Sequence, residues 1–114
     1  MRNPLLPVII VLFLSSCGAG KSSFDAGKKY AAETLQKDYT VFRNMLEESH
    51  PGIYWYTPKE SMDRYFEWGK GQLKDSMTEP EFKKVLSYVI SKINCGHTVV
   101  KNSKPYAKYL DTVR

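Results

Sequence analysis

The sequence predicts a mainly all-α fold, a small three-helix bundle that follows a signal peptide and ends in a short strand or an extended tail. Three observations predict this class. Apolar residues recur at helical spacing in three separate stretches between residues 28 and 93. Two of these stretches begin with the pattern Thr-x-x-Glu, which is typical of a helix N-terminus. The apolar run at residues 5–14 has the length of a signal core, whereas a membrane span needs about 20 apolar residues.

The leader, residues 1–16, is predicted to be a lipoprotein signal peptide. Residues 14–17, "LSSC", resemble the bacterial lipobox, in which a leucine and two small residues precede a cysteine. Cys17 would then carry a diacylglycerol and become the mature N-terminus. We therefore expect the protein in the bacterial cell envelope, held to a membrane by its lipid and facing outside the cytoplasm. An ordinary signal peptide with an incidental cysteine is the alternative.

A nucleotide-binding loop is a second interpretation of the same letters, because Gly20, Lys21 and Ser22 follow an apolar run. The phosphate-loop pattern requires a glycine five residues before Gly20, and Ser15 occupies that position. No later hydrophobic strand ends in an aspartate that could hold magnesium. We therefore expect no nucleotide partner.

Cleavage after residue 16 would leave 98 residues, enough for one small domain. The whole chain has 17 basic and 12 acidic residues and a net charge of +5. Its lysines are scattered, so they predict a solvated surface with some attraction to anionic lipid and no nucleic-acid groove. With two histidines and no zinc-binding spacing, neither a metal nor a cofactor is expected. Cys95 would be unpaired, and we expect it to be buried after the apolar face that ends at Ile93.

The segments of the mature chain follow from composition and periodicity. Residues 17–27 have the small polar residues of a flexible tether. Residues 28–96 form the predicted bundle. Its first helix should run over residues 28–49 and end at "HPG", because a residue before proline avoids the helical region. The apolar stripe of this helix is Leu35, Tyr39, Phe42 and Leu46.

The second and third helices begin at capping patterns. Thr57 is the predicted N-cap of the second helix, with Glu60 as its capping-box partner, and Thr78 with Glu81 repeats the device in the third. The inner faces are predicted to be Met62, Tyr65, Phe66 and Leu73 in the second helix, and Phe82, Val85, Leu86, Val89, Ile90 and Ile93 in the third. Residues 97–114 should form a short strand, "HTVV", and then a linker without a strong element.

Two segments in order, "EESHPGIYWYTPKE" and "MTEPEFKKVLSYVISKINCGHTVV", resemble the N-terminal region of carboxy-terminal-processing (tail-specific) serine peptidases. The likeness is to the tricorn-like branch of exported lipoproteins and covers residues 28–104. It implies a helical bundle that precedes a PDZ-like module and a catalytic α/β domain, which cuts peptide or protein substrates.

The resemblance assigns one catalytic role, because the histidine of the "GHT" element serves in that branch as general base for a distant serine. That role falls on His97. A neutral imidazole suits the task, since it can take a proton from a serine and return it to the leaving amine. A structural histidine at a helix end is the alternative for His97, and His50 is predicted to be structural in this way.

The chain ends at Arg114, before any segment that resembles the family's nucleophile, oxyanion hole or acidic orienter. We therefore expect a truncated serine peptidase that is inactive alone, because a general base without a nucleophile does no acyl transfer. The other hypothesis is a stand-alone envelope lipoprotein that binds a partner through its aromatic loop. Tyr54, Trp55 and Tyr56 could stack on sugars or peptides, although such a cluster more often packs between helices.

Overall fold

The computed structural model describes residues 24–114, and the fold of this part is mainly helical, as predicted. Its elements in chain order are β1 (Lys29–Tyr30), α1 (Ala32–Ser49), α2 (Lys59–Gly71), β2 (Met77–Thr78), α3 (Glu79–Ser91) and α4 (Lys104–Thr112). Within these residues, each helix is too short or too polar to cross a bilayer. The predicted signal peptide, Cys17 and most of the tether lie outside the described residues.

Helices α1, α2 and α3 enclose one hydrophobic core, which confirms the three predicted stripes. Every predicted residue of the α1 stripe is buried, and five side chains in or just after α2 and α3 are fully inaccessible to solvent. Tyr65, Phe82 and Leu86 lie at the edge of the core and are partly buried. The buried hydrophobic residues are Leu35, Tyr39, Phe42, Leu46, Ile53, Met62, Phe66, Leu73, Val85, Val89, Ile90 and Ile93.

The first helix begins four residues later than predicted, because residues 29 and 30 pair with another segment. Strand β1 lies antiparallel to β2, with Lys29 opposite Thr78 and Tyr30 opposite Met77. This ladder gives the backbone N–H and C=O groups partners that one turn of helix would otherwise supply. No pattern in the sequence near residues 29 and 30 predicts a strand partner so much later in the chain.

The two predicted caps differ in outcome. At α3 the capping box forms: the Glu81 carboxylate accepts from the backbone N–H of Thr78 at 2.8 Å and from its hydroxyl at 3.0 Å. The backbone hydrogen bond from Thr78 also lowers the pKa of Glu81. At α2 the prediction is wrong, since Pro58 is the N-cap and supplies no side-chain hydrogen bond. Thr57 is buried and donates its hydroxyl to the carbonyl oxygen of Lys92, at the end of α3.

Helices α1 and α2 approach most closely at Gly69. The Tyr39 hydroxyl donates to the carbonyl oxygen of Phe66 at 2.8 Å and lies directly over Gly69. Burial raises the pKa of Tyr39 to about 12. A Cβ atom built on Gly69 would stand 2.2 Å from the Tyr39 hydroxyl oxygen. The glycine therefore makes room for the tyrosine, and α2 continues through it to Gly71.

The structure of the C-terminal segment differs from its prediction. Residues 97–100 form no strand, and the predicted linker contains α4. Its N-cap is Ser103, whose side chain accepts from the Tyr106 N–H at 3.3 Å. A proline in the first turn also favours a helix here, since its missing N–H needs no partner at that position. "HTVV" stays irregular because among residues 24–114 no free strand lies beside it, and Val100 packs against the core instead.

Candidate functional site

Two turns that are far apart in the sequence meet at one end of the bundle. The first is the "HPG" turn, where the backbone N–H of His50 donates to the carbonyl oxygen of Leu46 and ends α1. The second is the "CGHT" turn after α3, closed by a hydrogen bond from the Thr98 N–H to the Cys95 carbonyl oxygen at 3.2 Å. We call the space between them the histidine cleft, defined by His50, Cys95, His97 and Thr98.

The chain enters the second turn through a left-handed residue. Asn94 has φ of 59°, a conformation that asparagine tolerates at the end of a helix. Its side-chain amide donates to the hydroxyl oxygen of Thr57 at 3.1 Å. Because Thr57 also binds the carbonyl oxygen of Lys92, the loop before α2 fixes the direction in which the chain leaves α3. These contacts position the residues that follow Asn94.

His50 is held by hydrogen bonds at both ring nitrogens. The backbone N–H of Gly52 donates to Nδ1 at 3.2 Å, and Nε2 lies 2.8 Å from the hydroxyl oxygen of Thr98. Since Nδ1 accepts, the neutral ring carries its proton on Nε2 and donates it to Thr98. Both ring nitrogens of His50 are thus engaged in hydrogen bonds, and the one to Thr98 joins the two turns.

Cys95 differs from its prediction of full burial. The residue is partly exposed and borders the histidine cleft from the α3 side. Hydrogen bonding from the backbone N–H of His97 and from the hydroxyl of Thr98 lowers the pKa of the Cys95 thiol. Hydrogen bonds to a thiolate stabilise the charged form and have this effect. The cysteine still packs against the edge of the core, and the left-handed Asn94 immediately precedes it.

His97 lies exposed at the mouth of the cleft. Within residues 24–114, no hydrogen bond occupies either nitrogen of its ring, whereas His50 uses both. The side chain borders two open cavities, of about 410 Å³ on the α1 side and about 240 Å³ on the side of the aromatic loop. The imidazole can therefore reach a group that approaches the cleft from outside.

The aromatic loop, residues 53–56, forms one wall of the smaller cavity. Ile53 is buried and Tyr54 partly buried, with the Lys59 ammonium 5.9 Å from the centre of the Tyr54 ring. Trp55 and Tyr56 are 75% and 70% exposed, so the preference for packing is wrong for these two rings. Both line the cavity together with His97. Exposed aromatic rings beside a free imidazole form a surface that can contact a peptide.

Comparison with known proteins adds nothing to this geometry, since no family model, curated protein or solved structure matches the chain. The resemblance of the "HPG" and "GHT" segments to tail-specific peptidases thus stays a prediction from those motifs. Among the described residues, no three His, Cys, Asp or Glu side chains form a group that could hold a metal ion. Thr98 was not predicted as a residue of the site, and Cys95 was predicted only as a buried thiol, although both lie in the "CGHT" element together with His97.

Proposed function

We propose that this chain is the N-terminal helical region of a membrane-anchored serine peptidase that cuts peptide or protein substrates. In this proposal His97 is the general base for a serine supplied by sequence beyond residue 114. One observation carries the assignment. Of the two histidines at the cleft, His50 is fixed by two hydrogen bonds, and His97 is exposed with both ring nitrogens free among residues 24–114.

The proposed chemistry assigns separate tasks to the residues of the cleft. His97 accepts the proton of the serine hydroxyl as the oxygen attacks the peptide carbonyl, and it then returns that proton to the leaving amine. His50 and Thr98 hold the turn that carries His97, so they act as positioning residues. Trp55 and Tyr56 are placed to contact the peptide, since they share a cavity with His97.

The first test concerns His97 in a product that contains the serine. His97→Ala should lower kcat by at least about 10²- to 10⁴-fold, because an unassisted serine hydroxyl is a poor nucleophile near neutral pH. The thermal midpoint of this variant should equal that of the wild type, since the His97 side chain is exposed and has no hydrogen-bond partner within residues 24–114. Steady-state peptide hydrolysis and thermal unfolding measured on the same preparation check both parts.

The matched control is His50→Ala, which removes the other histidine of the cleft. It should lower the thermal midpoint, because the hydrogen bonds of His50 to Thr98 and Gly52 are lost and each contributes roughly 1 kcal/mol. Wild-type turnover by His97→Ala would remove His97 from the mechanism. Hydrolysis by residues 17–114 alone would also contradict the proposal, because it places the nucleophile elsewhere.

The second test concerns the membrane anchor. Mass spectrometry of the mature protein should find Cys17 as an acylated N-terminal residue, and Cys17→Ser should leave the protein uncleaved or release it from membranes. The physical reason is that each buried methylene contributes about 0.8 kcal/mol to membrane binding, so several acyl chains hold the protein firmly. An unmodified, soluble mature protein in wild-type cells would exclude the anchor.

A second candidate function is favoured by the exposure of Trp55 and Tyr56. In it the chain is a stand-alone envelope lipoprotein that binds a partner through the aromatic loop. The gene sequence past codon 114 separates the two candidates. A continuing or frameshifted reading frame that encodes a PDZ-like module supports the peptidase, and a clean stop without such a remnant supports the binding protein.

A further inference from the structure

Helix α4 presents an aromatic face that no other element of the described chain covers. None of its nine residues is buried. Its rings Tyr106 and Tyr109 lie 6.0 Å apart, and Phe24 joins them at 6.1 Å and 5.9 Å between ring centres. Phe24 is 41% exposed and Tyr109 38% exposed. We call these three rings the aromatic cluster; beside it runs an open groove of about 520 Å³.

Positive charge prevails on the α4 side of this cluster, whereas the acidic Asp25 follows Phe24. Residues 101–114 contain four basic residues, Lys101, Lys104, Lys108 and Arg114, against one acidic residue, Asp111. All four are exposed, and two of the lysines line the groove beside the aromatic rings. Aromatic rings with one apolar and one polar end, flanked by lysines, are typical of helices that lie at a membrane surface.

The position of α4 is fixed relative to the bundle. The Glu79 carboxylate accepts from the backbone N–H and the hydroxyl of Ser103, both at 2.7 Å, and this joins the start of α4 to the start of α3. Next to this contact the Lys83 ammonium donates to the side-chain oxygen of Asn102 at 2.7 Å. The aromatic cluster and its lysines therefore face one direction as part of the folded domain.

The position of Phe24 in the chain indicates which surface the cluster meets. Phe24 follows Cys17 by seven positions, and a chain of that length spans at most about 25 Å. If Cys17 is lipidated, as in the proposed function, the cluster must lie within that distance of the headgroups. A tether this short keeps the local concentration of the bilayer high, which raises the occupancy of any contact between the cluster and the headgroups.

We propose that α4, together with Phe24, binds the surface of an anionic lipid bilayer. The aromatic cluster enters the interfacial layer, where amphipathic rings are favoured, and Lys104 and Lys108 pair with lipid phosphates. A second copy of the chain fits this face less well, because it would bring the same lysines opposite each other. The lipid anchor holds the domain near the membrane. Helix α4 orients the domain, so that one side of the bundle faces the membrane.

The experiment uses residues 24–114, within which every buried hydrophobic residue lies between Leu35 and Ile93. Because this piece lacks Cys17, its result does not depend on lipidation. Cosedimentation should show binding to vesicles of phosphatidylcholine with phosphatidylglycerol and little binding to phosphatidylcholine alone. Raising the salt concentration should weaken the binding, because exposed charges are screened over about 10 Å at 0.1 M salt.

Two variants test whether the lysines and the aromatic cluster of α4 contribute to vesicle binding. Lys104→Glu with Lys108→Glu should weaken binding to anionic vesicles about tenfold or more, whereas the same charge change at Lys70 and Lys74 on and after α2 should weaken it much less. Tyr109→Ser should also reduce binding while leaving the net charge unchanged. Circular dichroism should show an intact bundle in each variant, since α4 contributes no buried residue.

Three results would overturn the proposal. Equal binding to neutral and anionic vesicles, or no binding to either, would exclude an anionic surface. Equal losses in the α4 and α2 double variants would show that only net charge matters. Self-association in analytical ultracentrifugation that Tyr109→Ser abolishes, without vesicle binding, would assign the aromatic cluster to a second copy of the chain.

Discussion

Val89→Asp is expected to unfold the domain at room temperature or to bring it close to unfolding. The Val89 side chain is fully buried in α3 and faces α2, where its Cγ2 atom lies 2.9 Å from the position of a Cβ built on Gly69. An unpaired carboxylate in this apolar surrounding costs on the order of 4 kcal/mol. Domains of this size have a total stability near the low end of about 5–15 kcal/mol.

The matched control is Val41→Asp, the same change on the outer face of α1. Val41 is 67% exposed, so the new carboxylate stays in water and the free energy of unfolding should change by about 0.5 kcal/mol or less. Urea denaturation followed by helical circular dichroism measures both variants. Equal denaturation midpoints for the two would show that the α3 stripe is not buried.

Gly69→Ala is expected to destabilise the domain although alanine is the better helix former. The added Cβ would lie 2.2 Å from the hydroxyl oxygen and 2.8 Å from the Cζ atom of Tyr39. Tyr39 must then move and lose its hydrogen bond to the carbonyl oxygen of Phe66. Overpacking costs about 1–3 kcal/mol and the hydrogen bond about 1 kcal/mol. After the helix-propensity gain of up to about 1 kcal/mol, a net loss of about 2 kcal/mol remains.

Gly71→Ala provides the control within the same helix, because a Cβ at that position meets no atom within 4 Å. It should leave the free energy of unfolding unchanged or raise it by about 0.5 kcal/mol through helix propensity. Thermal or urea unfolding of the two alanine variants checks the difference. If Gly69→Ala proves as stable as Gly71→Ala, the close contact between α1 and α2 is absent in solution.

The fold could be predicted where the signal is local. The stripe through Leu35, Tyr39 and Phe42 reports a helix because one face repeats every 3.6 residues, and Thr78 with Glu81 forms a cap within three residues. The start of α1 depends on a strand partner 49 residues later, Thr78 for Lys29. Thr57 matches the cap pattern, but tertiary contact gives its hydroxyl a better acceptor at the end of α3.

The sequence pattern does not predict α4, and the reason is different. The helix has nine residues, and its apolar stripe, Tyr106, Tyr109 and Leu110, covers little more than one turn, so it is much shorter than the stripes of the bundle helices. The signals that do favour it are its cap, Ser103, and the proline two residues later. These are short patterns, and a helix start that is followed by so short a stripe is easily taken for a turn.

The candidate site shows the same division between local and distant signals. The "GHT" letters single out His97, and "HPG" indicates correctly that His50 ends a helix. The contact between Thr98 and His50 joins residues 48 positions apart, and the partial exposure of Cys95 depends on the left-handed Asn94. No pattern within a few residues of Thr98 or Cys95 contains that information.

The Thr98–His50 hydrogen bond also fixes when the cleft can exist during folding. Contacts between residues so far apart carry a loop-closure entropy that earlier contacts must offset. The hydrogen bond from Thr57 to Lys92 spans 35 residues and requires a finished α3. A chain that has emerged only as far as residue 90 lacks Cys95, His97 and Thr98, so it cannot contain the cleft. His97, the proposed general base, thus reaches its position late in folding, once the bundle is complete.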